Sequence, residues 1–107
     1  MSPIGDNDAL SLSYTDAFLD WRRRLKDKKA SARIAARLER LEEGHWGDAK
    51  SLGSVIELRL HFGPGYRIYV VRLDRRLVVL LCGGDKSSQA RDIALAQRMA
   101  EEIDDAP

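Results

Sequence analysis

Three ionisable side chains, Glu57, Arg59 and His61, alternate with apolar residues in one short segment. If the apolar residues face a core, these three must project from the opposite face of a strand, because successive side chains of a strand alternate. Arg67, on the next predicted strand, and Lys86, after the last one, can reach the same neighbourhood. Cations gathered on one sheet face are suited to binding an anion through charge-assisted hydrogen bonds.

Three predicted strands position these groups. Apolar alternation predicts strands at residues 55–62, 66–73 and 77–82. The links between them are short enough for hairpins, so the three strands should form an antiparallel meander. A polar cluster then predicts a last helix, which begins after a cap at Ser87 or Ser88.

The residues before the meander predict one further strand and two helices. Residues 10–14 alternate as a short strand would, and Thr15 can cap the helix that follows. Asp27 can cap a second helix, which ends at Gly44. Two helices with so short a link should pack as an antiparallel hairpin on the sheet. With residues 45–54 as a loop, the prediction is an α+β fold of order β-α-α-β-β-β-α.

Size and composition limit the class of protein. A chain of 107 residues is large enough for one core, and we place a single domain at residues 10–105, with residues 1–9 as a flexible segment outside it. No apolar run approaches the roughly 20 residues that span a bilayer, and no secretory signal is evident. The lone cysteine, Cys82, lies in an apolar run and is predicted to be a small core residue. These features favour a cytoplasmic protein that does not enter a membrane.

Charge is segregated along the chain despite a net charge of +1. Residues 1–20 and residues 92–107 each carry −4, whereas residues 21–91 carry +9. A basic body between acidic ends is suited to phosphate binding. The alternative is that the cations simply solvate helix surfaces, and the acidic ends can also fold back onto the basic surface and weaken its field.

Several motifs together resemble a known family. They are Gly47-Asp48, ELR at 57–59, GPGYR at 63–67 and LLCGGDKSSQ at 80–89. In this order and spacing they are similar to the RelE/ParE toxin superfamily, and more closely to its HigB-like addiction-module killer proteins, over residues 10–103. The resemblance implies a RelE/ParE-like fold. It also implies a type II toxin-antitoxin toxin that inhibits translation as a ribosome-dependent mRNA endoribonuclease.

Cutting RNA at a 2′-hydroxyl requires removal of that proton, stabilisation of a phosphorane and protonation of the leaving 5′-oxygen. No Asp, Glu or His cluster has metal-ligand spacing, so neither a metal nor another cofactor is expected. Catalysis of this kind must therefore depend on cations.

The resemblance assigns catalytic positions residue by residue. Arg67 matches the superfamily's phosphate-contacting arginine, while Arg59 and Lys86 match basic positions on the preceding strand and after the last strand. Glu57 stands where the best-known nucleases have a lysine, so it is either a carboxylate base or a salt-bridge partner of Arg59 or Arg67 that orders the sheet. His61 is the one nearby imidazole, and histidine ordinarily titrates near neutrality. The family's C-terminal tyrosine or histidine is missing.

Four further residues are candidates for RNA binding: Lys50, Tyr69, Asp85 and Gln89. Tyr69 shares a strand face with Arg67 and can stack on a base, whereas Tyr66 points to the other face. Asp85 can instead cap the last helix, and Gln89 can instead satisfy a backbone group in its first turn.

The resemblance also implies partners. These are a cognate helix-turn-helix antitoxin that covers the site, the ribosome and mRNA, and operator DNA contacted only through the antitoxin. The alternative function is a ParE-like inhibitor of DNA gyrase that performs no catalysis, and the weak set of acid and base candidates favours it.

Overall fold

A five-stranded mixed sheet organises the protein, and the computed structural model describes it within residues 8–104. The strands are β1 Ser11–Tyr14, β2 Ala49–Leu52, β3 Val55–Leu60, β4 Tyr66–Arg72 and β5 Leu77–Gly84. Their order across the sheet is β1-β5-β4-β3-β2. β1 runs parallel to β5 and every other pair is antiparallel, so the predicted meander is confirmed.

Three helices complete the described part of the chain: α1 Asp16–Arg24, α2 Lys28–Glu42 and α3 Gln89–Asp104. The predicted α+β class is therefore confirmed. None of these helices is long and apolar enough to cross a membrane. The prediction that residues 1–9 are flexible falls mostly outside the described residues.

The predicted element order lacked one strand. Residues 45–54 were expected to form a loop, but β2 lies within them and pairs with β3, with Lys50 opposite Glu57. β2 is a four-residue edge strand, and Lys50 and Ser51 are exposed. A short and largely solvated edge strand has too little apolar alternation to be recognised from its pattern.

The helix ends follow from their capping residues. Thr15 Oγ1 accepts a hydrogen bond from the Phe18 N–H at 3.0 Å, and Asp27 Oδ1 accepts one from the Lys29 N–H at 2.9 Å. Both predicted caps are confirmed. The last helix differs, because Asp85 caps a 3-10 turn over Lys86–Ser88 that leads into α3, and Ser88 is inside that turn.

Both faces of the sheet are buried. One core packs α1 and α2 on the sheet through Phe18, Ile34, Leu41, Leu58, Ile68 and Leu80. The other packs α3 on the opposite face through Val55, Tyr69, Leu81, Cys82, Ala96 and Ala100. Cys82 is 4% exposed, as its apolar surroundings predicted. Within residues 8–104, helices α1 and α2 therefore cover one face of the sheet and helix α3 covers the other.

The glycine pair at the end of β5 allows helices to approach it from both sides. A Cβ on Gly83 would lie 2.4 Å from the Trp21 ring of α1, and one on Gly84 would lie 1.9 Å from Asp92 Oδ2 of α3. Both distances are far below van der Waals contact. The pair is therefore needed for packing α1 and α3 against β5, the strand that precedes the Lys86 turn.

Candidate functional site: a cationic depression beside an arginine groove

Three of the predicted cationic or titratable residues meet at one end of the sheet. The loop after β3 and the turn after β5 enclose a depression of about 370 Å³. His61, Arg67 and Lys86 line it, together with residues 63–65. The fold thus brings together groups that are as much as 25 residues apart in the sequence.

Arg67 is the most rigidly held of these groups. Its side chain is buried, and Nη1 donates to the carbonyl oxygens of Gly65 at 3.1 Å and Tyr66 at 3.4 Å. Its Nε is buried and has no hydrogen-bond partner among the described residues. Gly65 has φ +78°, and a Cβ there would lie 3.3 Å from Arg67 Nη1. Glycine therefore both permits the turn and leaves room for the guanidinium.

Lys86 is exposed and is placed by the turn that contains it. Asp85 Oδ1 accepts hydrogen bonds from the Ser87 N–H at 2.8 Å and from Ser87 Oγ at 2.5 Å. These bonds, the hydroxyl first, hold the pKa of Asp85 below its ordinary value. The Lys86 N–H donates to the Pro64 carbonyl at 3.4 Å and so joins the two walls of the depression. Asp85 was predicted either to bind RNA or to cap the last helical segment, and its role as a cap is confirmed.

Arg59 lies in a neighbouring groove and not in the depression itself. The groove has a volume of about 400 Å³ and shares His61 and Phe62 with the depression. Asp48 accepts hydrogen bonds from Arg59 Nη2 at 2.9 Å and from Arg59 Nε at 3.3 Å, and its other oxygen contacts His61 Nε2. The bonds from His61 and then Arg59 lower the pKa of Asp48.

Helix α2 forms the far wall of this groove with arginines spaced along one face: Arg33, Arg37 and Arg40. Arg37 is structural, because it donates to the carbonyl oxygens of Arg59, Trp46 and Asp48 at 2.8 to 2.9 Å. These bonds fix the loop that carries Asp48. Burial lowers the pKa of the Arg37 guanidinium, although arginine keeps its charge in proteins.

Glu57 and Tyr69 are not where the sequence analysis expected them. Glu57 is 1% exposed and Tyr69 is 0% exposed, because α3 covers this part of the sheet. The Tyr69 hydroxyl donates to Glu57 Oε2 at 3.1 Å, and Gln89 Nε2 donates to the same oxygen at 2.8 Å. The expectations that Glu57 projects from an open face and that Tyr69 can stack on a base are therefore wrong. Burial, followed by the nearby Glu57 charge, raises the pKa of Tyr69.

The other two RNA-binding candidates are also separated from the depression. Gln89 is half-buried, and its side-chain amide donates to Glu57, with no backbone partner for that amide among residues 8–104. Lys50 is exposed on β2, and it is not among the described residues that line either the depression or the groove.

Sequence reasoning missed the groove and its carboxylate. The signal for the α2 wall was present, since Arg33, Arg37 and Arg40 recur at helical spacing. Asp48 stood in the Gly47-Asp48 motif, but its contacts with Arg59 and His61 had no sequence signal, because they span 11 and 13 residues and depend on how the loop folds.

The fold and the site define a small α+β protein with a cationic depression at one end of its sheet. Residues 21–101 match the family described as phage derived protein Gp49-like (DUF891). A Haemophilus influenzae protein named "Uncharacterized protein" is 43% identical over 95 residues, which cover 88% of this chain and 96% of that protein. The chain therefore belongs to the Gp49-like family, a family of type II toxin-antitoxin toxins in the RelE/Gp49 group. At this level the predicted toxin class is confirmed.

Proposed function

We propose that this toxin is an endoribonuclease that cuts mRNA on the translating ribosome and is neutralised by a cognate antitoxin. The observation that supports this most directly is the meeting of His61, Arg67 and Lys86 in one depression. A phosphodiester carries the anionic charge that such a cation pair would bind, and its cleavage builds up further charge on oxygen.

Arg67 and Lys86 would stabilise the phosphorane. The buried Arg67 guanidinium needs no reorganisation, because Gly65 and Tyr66 already hold it. The exposed Lys86 ammonium can move toward the leaving 5′-oxygen and stabilise the negative charge that develops on it. Removing one preorganised donor of this kind costs about 100- to 1,000-fold in rate.

His61 would accept the proton of the 2′-hydroxyl. Its Nε2 faces the Asp48 carboxylate, which leaves Nδ1 as the ring nitrogen that can face a substrate. A carboxylate that orients an imidazole and stabilises its charged form is a recurring arrangement in hydrolytic sites. Attack of the deprotonated 2′-oxygen on phosphorus then breaks the bond to the 5′-oxygen, which takes a proton from solvent water, and leaves a 2′,3′-cyclic phosphate. The proton on His61 returns to solvent.

The proposed partners follow from this function. The cognate antitoxin would be a helix-turn-helix repressor that covers the depression, and the toxin would contact operator DNA only through it. The ribosome would present the mRNA. A cytoplasmic location is part of the same proposal.

The test is induced expression followed by mapping of RNA ends. Lys86→Ala is the informative variant, because Lys86 is exposed and its loss should leave the fold intact. Arg67→Lys keeps the charge at the buried position but removes the planar group. We expect cuts within translated reading frames for the wild type, and at least a hundredfold slower cutting for either variant. Full activity of both variants at wild-type stability would refute the assigned site.

One observation favours the alternative, a gyrase inhibitor without catalysis. The burial of Glu57 and Tyr69 leaves His61 as the one described side chain at the depression that is suited to proton transfer. A binding protein needs no such group. Accumulated cleaved DNA–gyrase complexes with intact mRNA, measured in the same induced cells, would support this alternative and exclude the nuclease.

A further inference from the structure

The groove between α2 and the end of β3 is strongly basic. Four arginines line it, namely Arg33, Arg37, Arg40 and Arg59, and Asp48 is the one carboxylate among its lining residues. Arg37 is occupied by backbone carbonyls, and Arg59 is bound by Asp48. Arg33 and Arg40, by contrast, are exposed on the helix wall. The groove therefore holds more positive charge than its own carboxylate neutralises.

Phe62 gives the groove a planar surface beside this charge. The Arg33 Cζ lies 4.7 Å from the centroid of the Phe62 ring, and the Tyr66 ring packs on Phe62 with centroids 5.4 Å apart. The Arg33 guanidinium thus lies over an aromatic ring that a second ring supports. Nucleobases stack on guanidinium planes of this kind as well as on aromatic rings.

The groove is continuous with the proposed catalytic depression. His61 and Phe62 line both, so a strand that leaves the depression past His61 enters the groove directly. A single phosphodiester needs only the depression. The additional arginines beside it match the charge of a backbone that continues beyond the reacting linkage.

We propose that this groove binds the single-stranded RNA segment adjacent to the cut linkage, with Arg33 and Arg40 on its phosphates and the Arg33–Phe62 stack under a base. The proposal rests on the proposed nuclease function, whose substrate it extends. Asp48 acts within the groove as an internal counter-anion that the RNA phosphate competes with for Arg59.

An acidic polypeptide is the competing occupant. Both ligands would be attracted by the arginines and repelled by Asp48. The Arg33–Phe62 stack distinguishes them, since a flat aromatic base gains stacking energy of about 1 to 3 kcal/mol there and a carboxylate side chain has no planar ring to stack. The position of the groove also favours RNA, because His61 and Phe62 line both the groove and the depression that would hold the cut linkage.

The test measures binding without cleavage. The probe is a short 2′-O-methyl oligoribonucleotide, which lacks the attacking hydroxyl, and its dissociation constant is measured by fluorescence anisotropy over a range of salt. Arg33→Ala and Arg40→Ala are compared with Arg98→Ala, an exposed helical arginine on α3 that removes the same charge far from the groove in the fold. A dinucleotide and a polyglutamate peptide are the comparison ligands.

We expect the two groove variants to weaken binding of the oligonucleotide at least fivefold. They should also reduce the slope of log K against log salt by about 0.7 per lost contact. Arg98→Ala should leave both unchanged, and the dinucleotide should be insensitive to all three. Asp48→Asn should strengthen oligonucleotide binding. Equal effects of the groove variants and Arg98→Ala would overturn the proposal, as would groove-dependent binding of polyglutamate but not of the oligonucleotide.

The same variants separate this inference from the proposed function. If transcripts are cut in cells and the groove variants bind the oligonucleotide normally, the nuclease assignment stands and the groove assignment fails. If binding depends on the groove but no transcript is cut, the nuclease assignment fails while the surface remains a site for single-stranded RNA.

Discussion

Asp48 binds Arg59 through both its side-chain carboxylate and its main-chain carbonyl. Its carboxylate accepts a hydrogen bond from Arg59 Nη2 at 2.9 Å, and its main-chain carbonyl accepts one from the Arg59 N–H at 3.0 Å. The same carboxylate contacts His61. One loop residue thus controls the orientation of two groups at the boundary between the depression and the groove.

The contribution of Asp48 to stability should depend on pH. Hydrogen bonds from His61 and then Arg59 lower the pKa of Asp48 from its ordinary 3.8 in the folded state. A depressed carboxyl pKa stabilises the fold above the unfolded value, and that stability is lost as the pH falls through the folded value. In urea unfolding, Asp48→Asn should therefore be less stable than the wild type at neutral pH, by about 1 kcal/mol or less for so exposed a pair.

The difference between Asp48→Asn and the wild type should shrink as the pH falls below about 4. Asp20→Asn is the matched control, because Asp20 forms an exposed pair with Arg23 at 3.0 Å away from both the depression and the groove. A difference for Asp48→Asn that does not change with pH would contradict the coupling.

His61 should affect rate much more than stability. If Nδ1 accepts the 2′-hydroxyl proton, His61→Gln should lower the rate of mRNA cleavage about 100- to 10,000-fold. His45→Gln is the control, because His45 is the other histidine of the chain and is also exposed. Cleavage is measured on a translated mRNA in a reconstituted system. A His61→Gln protein that cleaves at the wild-type rate would show that His61 is only a partner of Asp48.

Tyr69 should prove structural. Tyr69→Phe removes one of the two described donors to the buried Glu57 carboxylate and should cost about 1 to 3 kcal/mol in the free energy of unfolding. Oligonucleotide affinity should stay within about twofold, because the phenol is covered by α3. Tyr14→Phe, at a tyrosine that is 37% exposed, serves as the control for stability. A large loss of affinity in a stable Tyr69→Phe protein would restore the original assignment.

Gly84 should tolerate no side chain while Asp92 is present. A Cβ at Gly84 would lie 1.9 Å from Asp92 Oδ2, so Gly84→Ala should destabilise the fold by about 1 to 3 kcal/mol. The double variant Gly84→Ala/Asp92→Ala should lose less than the sum of the two single variants, because removing the carboxylate relieves the clash. Thermal and urea unfolding measure this coupling. Additive losses of stability would contradict this coupling and would mean that helix α3 moves away from β5 as a unit.

Cys82 should resist alkylation in the folded protein. Burial, with a smaller effect of Asp92, raises the pKa of its thiol to about 12. The reactive thiolate is therefore a minute fraction near neutrality. Mass spectrometry after iodoacetamide treatment should show labelling only when denaturant is added. Rapid labelling of the native protein would indicate that α3 opens readily from the sheet.

Local signals were sufficient for much of this fold. The caps at Thr15 and Asp27 and the antiparallel meander follow from contacts between residues close in sequence, and the structure confirms them. β2 was missed because an exposed edge strand needs no apolar alternation. The last helix begins at Gln89, directly after Ser88 as predicted, and Asp85 caps the 3-10 turn that precedes it.

The sequence by itself determined the class of fold and the gathering of Arg67 and Lys86, because hairpin links bring adjacent strand ends together. Tertiary structure decided what those residues face. Alternation assigns Glu57 and Tyr69 to a face of the sheet, but only the docking of α3 buries that face. Likewise, the pairing of Asp48 with Arg59 and His61 depends on a loop that Arg37 fixes from another helix. Such contacts are non-local, so no periodicity in the chain encodes them.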